Sequence, residues 1–81
     1  MPLSARTKKR LEKKSIKAAM ASRVPSSELK GANMFWEDKP VESLYGISYH
    51  LTIRDKMGRT YDVLFDVNTH KLESFSCGFE T

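Results

Sequence analysis

Tyr45-Gly46-Ile47-Ser48-Tyr49-His50-Leu51-Thr52-Ile53-Arg54 alternates with a period of two along its whole length. Tyr45, Ile47, Tyr49, Leu51 and Ile53 share one side; Gly46, Ser48, His50, Thr52 and Arg54 share the other. Successive side chains of a strand point to opposite faces, so the segment reads as a strand with one buried face. Asp55-Lys56-Met57-Gly58 supplies the turn that follows, with Gly58 free to take positive φ. A second strand runs from about 59 to 67, with Tyr61, Val63, Phe65 and Val67 alternating against Thr60, Asp62, Leu64 and Asp66. Asn68-Thr69 turns the chain again, and a third strand covers about 70–76. Leu72 and Phe75 are three positions apart in it, so either a bulge intervenes or one of them is exposed.

Upstream of this meander, residues 4–22 hold neither glycine nor proline and are rich in strong helix formers. Ser4 is placed to cap such a helix, and Val24-Pro25 ends it. At 100° per residue, Arg10, Lys13, Lys14 and Lys17 fall in about one quadrant of the wheel. Leu11, Ser15, Ala18, Ala19 and Ser22 lie well away from them, with Ile16 and Met20 to one side. The helix has a clear basic stripe and a poor apolar one. Pro25–Gly31 reads as one helical turn with Ser26 or Ser27 as cap and Gly31 as stop. Residues 31–44, with Met34-Phe35-Trp36 followed by Glu37, Asp38 and Pro40, read as irregular.

The expected fold class is α+β: a basic N-terminal helix packed on one face of a three-stranded antiparallel β-meander. The chain reads as a single small domain over 1–81, divided into a basic helical arm (1–23), an irregular connector (24–44) and the meander (45–81). A meander this small needs a cover. The helix, helped by Leu29, Phe35 and Trp36, is the candidate; a second subunit is the alternative, which would make a homodimer.

Charge is unevenly placed along the 81 residues. Residues 1–23 carry Arg6, Lys8, Lys9, Arg10, Lys13, Lys14, Lys17 and Arg23 against Glu12 alone, a net +7; the remainder totals −3. A basic arm on a mildly acidic body points to a polyanionic partner, or to an arm resting on its own body. No window approaches the roughly 18 apolar residues of a membrane span. Residues 1–23 have the acid-poor look of a transit peptide, but Lys outnumbers Arg and the apolar face is weak. With one cysteine, Cys77, the expected setting is the reducing cytoplasm, and neither an internal disulfide nor a zinc site on paired thiols can form.

Residues Tyr61–Leu72 resemble the last hairpin of PepSY-type domains: a strand, an Asp, a short turn and a returning strand. His70-Lys71 stands where that family has its turn glycine. The resemblance covers about a dozen residues and implies a helix-on-sheet module of the kind sometimes used to bind or inhibit other proteins. It does not assign the chain to that family.

Catalytic chemistry has weak support. Cys77 with His50 or His70 has no recognisable spacing, and neither does a zinc set of His50, His70, Cys77 and Asp66. A buried thiol and two surface imidazoles are the plainer expectation. Asp62 and Asp66 share a strand face and are expected to pair with Arg54 and Arg59 across the hairpin. The four glycines are isolated, so no phosphate loop is present. Tyr45, Tyr49, Tyr61 and Phe65 could form a stacking platform for single strands, but they lie on the only face the fold can bury. No enzyme activity, cofactor or metal is expected.

Two binding readings remain. In the first, Arg6, Lys9, Arg10, Lys13, Lys14 and Lys17 contact nucleic acid or a nucleoprotein complex through phosphate neutralisation. In the second, Phe35 and Trp36 with a sheet edge dock on a protein target. By analogy alone, that second type is the small adaptor or inhibitor that phages and mobile elements encode.

Overall fold

The computed structural model describes residues 3–78; the expectations touching residues 1–2 and 79–81 lie outside them. Two helices and five strands follow in the order α1 (Ala5–Ala21), α2 (Ser26–Leu29), β1 (Asn33–Trp36), β2 (Val41–Ser43), β3 (Gly46–Arg54), β4 (Thr60–Asp66) and β5 (Leu72–Gly78). The fold is α+β, with α1 over one face of an antiparallel sheet.

The sheet has five strands, not three, and the connector is not irregular. β1 pairs with the Leu51–Arg54 half of β3, and β2 pairs with its Gly46–Ser48 half. Between them Glu37 N–H donates to the His50 carbonyl at 3.0 Å. The two short strands thus lie end to end along one edge of the nine-residue β3. Pairing satisfies the backbone groups of β3 that the meander alone would leave open. Runs of four and three residues are too short for period two to be read reliably, which is why the sequence pattern misses them.

The core confirms the alternation at its centre. Leu51, Ile53, Tyr61, Val63 and Phe65 are buried, together with Leu11, Ala19, Val24 and Leu29. Small residues at Ser15 and Ala19 let α1 approach the sheet closely. Trp36, Phe75 and Leu72 pack against the core from its margins; the Trp36 and Phe65 rings lie 5.9 Å apart and Tyr61 and Phe75 5.7 Å. Of the three expected cover residues, Leu29 and Trp36 serve. Phe35 does not: it alternates to the opposite face and is 56% exposed. The Leu72–Phe75 irregularity is a bulge, with the β4–β5 register shifting at Leu64/Phe65, so both residues keep contact with the core.

α1 is capped at both ends. Ser4 Oγ accepts from Thr7 N–H at 3.2 Å. At the other end Val24 N–H donates to the Ala19 carbonyl (3.1 Å) and Arg23 N–H to that of Met20 (3.0 Å), a Schellman motif. Arg23 therefore sits at φ 68°, the left-handed position usually given to glycine. Arg23→Gly should raise stability by about 0.5–1 kcal/mol, because the Cβ penalty disappears; a lower thermal midpoint for the variant would contradict this account of the cap. α2 lacks the expected serine cap: Pro25 occupies the position, and no side chain caps the turn.

The Asp55–Gly58 turn is locked by its first residue. Asp55 is 6% exposed, and its Oδ1 accepts from Met57 N–H (2.9 Å) and Arg59 N–H (3.0 Å). Tyr61 Oη donates to Asp55 Oδ2 at 2.8 Å. Gly58, at φ 81°, donates its N–H to the Asp55 carbonyl. Burial alone would push the Asp55 carboxyl up, but the Tyr61 hydroxyl, the two amides and the Arg59 charge together hold it below the usual carboxylate range. Burial and the same hydrogen bond push the Tyr61 hydroxyl up to about 12.

Candidate nucleic-acid interface

The 17 residues of α1 make a rod about 25 Å long whose inner side is fixed by Leu11, Ser15 and Ala19. That choice of inner side aims Arg6, Lys9, Arg10, Lys13, Lys14 and Lys17 outward, and all six are exposed. Among the described residues, none of the six forms a salt bridge to a carboxylate. Arg10 Nη2–H donates instead to His70 Nδ1 at 3.3 Å. The arm's one acid, Glu12, is turned inward, where its Oε2 accepts from Trp36 Nε1–H at 2.8 Å. Among the described residues, no carboxylate of the body therefore consumes the charge of these six side chains.

Helix energetics sharpen the point. The first turn of α1 has no acid and the last turn no base, so neither end carries the charge the helix dipole favours, and Arg6 and Lys8 in the first turn oppose it. Arg6/Arg10, Lys9/Lys13, Arg10/Lys14 and Lys13/Lys17 are like-charge neighbours one turn apart. Each such pair costs about 0.2–0.5 kcal/mol.

Two shallow grooves follow the stripe. One, of about 560 Å³, lies between Arg6, Lys9, Arg10 and Lys13. The other, of about 530 Å³, is lined by Ile16 and Met34 with Lys9, Lys13, Lys17 and Glu12.

The remaining sequence-derived candidates come out as follows. Trp36 is half-buried with its ring on Phe65 and its N–H already donated, while Phe35 stands on the open face of the sheet opposite Thr52. Tyr61 and Phe65 are core residues and Tyr49 packs against them, so the four aromatic rings form no open platform. Cys77 is exposed, not buried. No group of three or more His, Cys, Asp or Glu among the described residues is placed to hold a metal ion. The expected cross-hairpin pairing of Arg59 with Asp62 or Asp66 is replaced by other contacts. Arg59 reaches Glu28 at 3.7 Å, and Asp62 Oδ1 meets His50 Nε2 at 2.9 Å. Asp66 closes its own turn, accepting from Asn68 and Thr69 N–H at 2.8 Å each; these amides hold its carboxyl below the usual range.

Sequence reading missed an acidic, hydroxyl-rich cluster on the open sheet face. His50 Nδ1 lies 3.7 Å from Glu37 Oε1 while Nε2 faces Asp62. Fully buried Ser48 donates to Glu73 and contacts Ser43 Oγ at 3.2 Å. The even-numbered positions of β3 are the signal for this face, but the partners come from β4, β5 and the β1–β2 loop, which no local pattern links. The molecule is thus two-sided in charge, with cations along α1 and carboxylates behind the sheet.

No protein-family model matches the chain, and no curated protein or solved structure matches it either. Among the described residues no helix is long and apolar enough to cross a membrane. The site therefore has to be read from its own chemistry.

Proposed function

We propose that this protein is a non-enzymatic binder of nucleic acid or of a nucleoprotein complex, and that the outer face of α1 is its contact surface. The observation that carries the reading is the set of six outward-facing cations with no carboxylate partner among the described residues. Successive turns place them about 5.4 Å apart along the axis, close enough to meet consecutive phosphates. Such contacts neutralise phosphates and release counterions, which gives affinity with little base selection. The Arg10–His70 contact ties the stripe to the β4–β5 turn and so fixes the helix orientation on the body.

Fluorescence anisotropy with labelled duplex and single-stranded oligonucleotides tests this. Six contacts to a duplex predict a loss of about a thousandfold in affinity between about 50 and 200 mM salt. Affinity that is independent of salt, or no binding to either oligonucleotide, would remove the reading.

A second reading has one specific observation in its favour. Phe35 is an exposed aromatic side chain on the open face, and such residues anchor protein interfaces. On that reading the protein is an adaptor or inhibitor docking through Phe35 and a sheet edge, with Trp36 supporting the strand from the core side. Alanine at Phe35 would then weaken a protein complex with little salt dependence.

A further inference from the structure

Lys8 stands apart from the outward stripe. It lies about one turn before Leu11 on the inner side of α1 that Leu11, Ser15 and Ala19 define, and it is half-buried. Among the described residues its ammonium has no carboxylate within salt-bridge distance. Beside it opens a recess of about 400 Å³, a volume in the range of ordinary ligand pockets. Trp36 and Tyr49 line this recess, with Pro40 and Leu3 completing its apolar part. Trp36 pairs with Leu51, and Tyr49 precedes Leu51 by two positions on β3, so both rings stand on the helix-covered face of the sheet.

Both rings are held in place. Trp36 rests near Phe65 at 5.9 Å and donates its N–H to Glu12. The Tyr49 ring lies 6.1 Å from that of His70, which also contacts Arg10. The recess therefore adjoins the basic stripe. Two acids line it as well. The Glu37 carboxylate is turned to His50 on the other sheet face at 3.7 Å, which leaves exposed Asp38.

Two aromatic rings and a half-buried cation without a counterion fit a ligand with a planar ring and an anion attached. A nucleobase with its phosphate has that composition. Bases stack on aromatic side chains, phosphate neutralises a lysine, and a carboxylate such as that of Asp38 accepts from a base amino group. A protein ammonium or guanidinium would also stack on the rings, but it would meet the charge of Lys8. We infer that the recess takes one unpaired base of a single strand, stacked on Trp36 and Tyr49 with its phosphate on Lys8. The inference rests on the nucleic-acid reading of α1 and deepens it: the stripe holds the flanking phosphates, and the recess adds a grip on a base that a duplex keeps stacked and paired.

Trp36 is the one tryptophan of the chain, so its emission reports on the recess. A short single-stranded oligonucleotide should quench it at low salt. A strand of the same length built of abasic sugar-phosphates should bind through α1 and leave the emission unchanged, as should a tetra-arginine peptide. By anisotropy the base-bearing strand should bind about tenfold more tightly than the abasic one. Tyr49→Leu should narrow that ratio, and so should Lys8→Gln, which removes no contact seen within the molecule and keeps the test open if Tyr49→Leu disturbs the fold. Equal affinities for the two strands with unchanged Trp36 emission would overturn the inference and leave the phosphate reading of α1 standing. Quenching by the abasic strand or by tetra-arginine, or a wild-type ratio in folded variants, would also overturn it. Binding of neither strand would remove both readings.

Discussion

Charge reversal at Lys13, Lys14 and Lys17 should lower affinity for a duplex oligonucleotide on the order of a hundredfold or more at low salt. Six cations on the stripe correspond to a slope of about −5 in log affinity against log salt; with three removed it should flatten to about −3. The same protein should keep its far-ultraviolet circular dichroism. All three side chains are exposed and contribute nothing to the core. The reversals also turn Lys9/Lys13 and Arg10/Lys14 from repulsive into attractive neighbours, while positions 13 and 17 stay like-charged as before. Loss of binding would therefore report the surface and not unfolding. An unchanged affinity or an unchanged slope would show that the stripe is not the contact.

The second large effect belongs to the fold that holds the stripe in place. Asp55→Ala should cost about 3 kcal/mol, because three donors lose their acceptor and the Tyr61 hydroxyl is left buried without a partner. For a domain this small that is on the order of 15 °C in thermal midpoint. Tyr61→Phe should cost less, about 1–2 kcal/mol, since the two backbone amides still hold the carboxylate. Acidity gives an independent check. A carboxyl held low in the folded state contributes stability above its unfolded value near ~3.9 and loses it as pH falls through the folded value. The wild type should therefore lose stability progressively below about pH 4, and Asp55→Asn should flatten that part of the profile. Tyr61 acts at the other extreme: its contribution is complete below the ordinary tyrosine range near ~10 and fades as pH rises toward its raised value of about 12. An acid limb as steep in Asp55→Asn as in the wild type would show that the turn does not carry the effect.

What the sequence disclosed depended on the length of each signal. The alternation from 45 to 54 spans ten positions, and its centre, Tyr49, Leu51 and Ile53, lies on the core side as expected. Its first members do not. Tyr45 belongs to a turn and Ile47 projects beyond β4, because alternation says which side a residue faces and not whether anything covers it. β1 and β2 were invisible for a different reason. They are strands only because β3 offers them an edge, and that is a tertiary fact. Burial of Asp55 was equally out of reach, since the turn residues announce a turn but not that Tyr61 reaches back to it. The basic stripe was legible because outward lysines need only a helix and a fixed inner side. The β4–β5 turn was legible only in part. His70 adopts φ 60° and carries the left-handed conformation that a glycine would take more easily.

Mapping the surface by nuclear magnetic resonance tests the central claim most directly. Backbone amide shifts of the full chain would be followed during titration with a short nucleic-acid duplex. The account predicts shifts concentrated in Arg6–Lys17 and at His70, which touches Arg10, with the open sheet face unmoved. Shifts centred on Phe35, His50 and Asp62, or none anywhere at low salt, would contradict it.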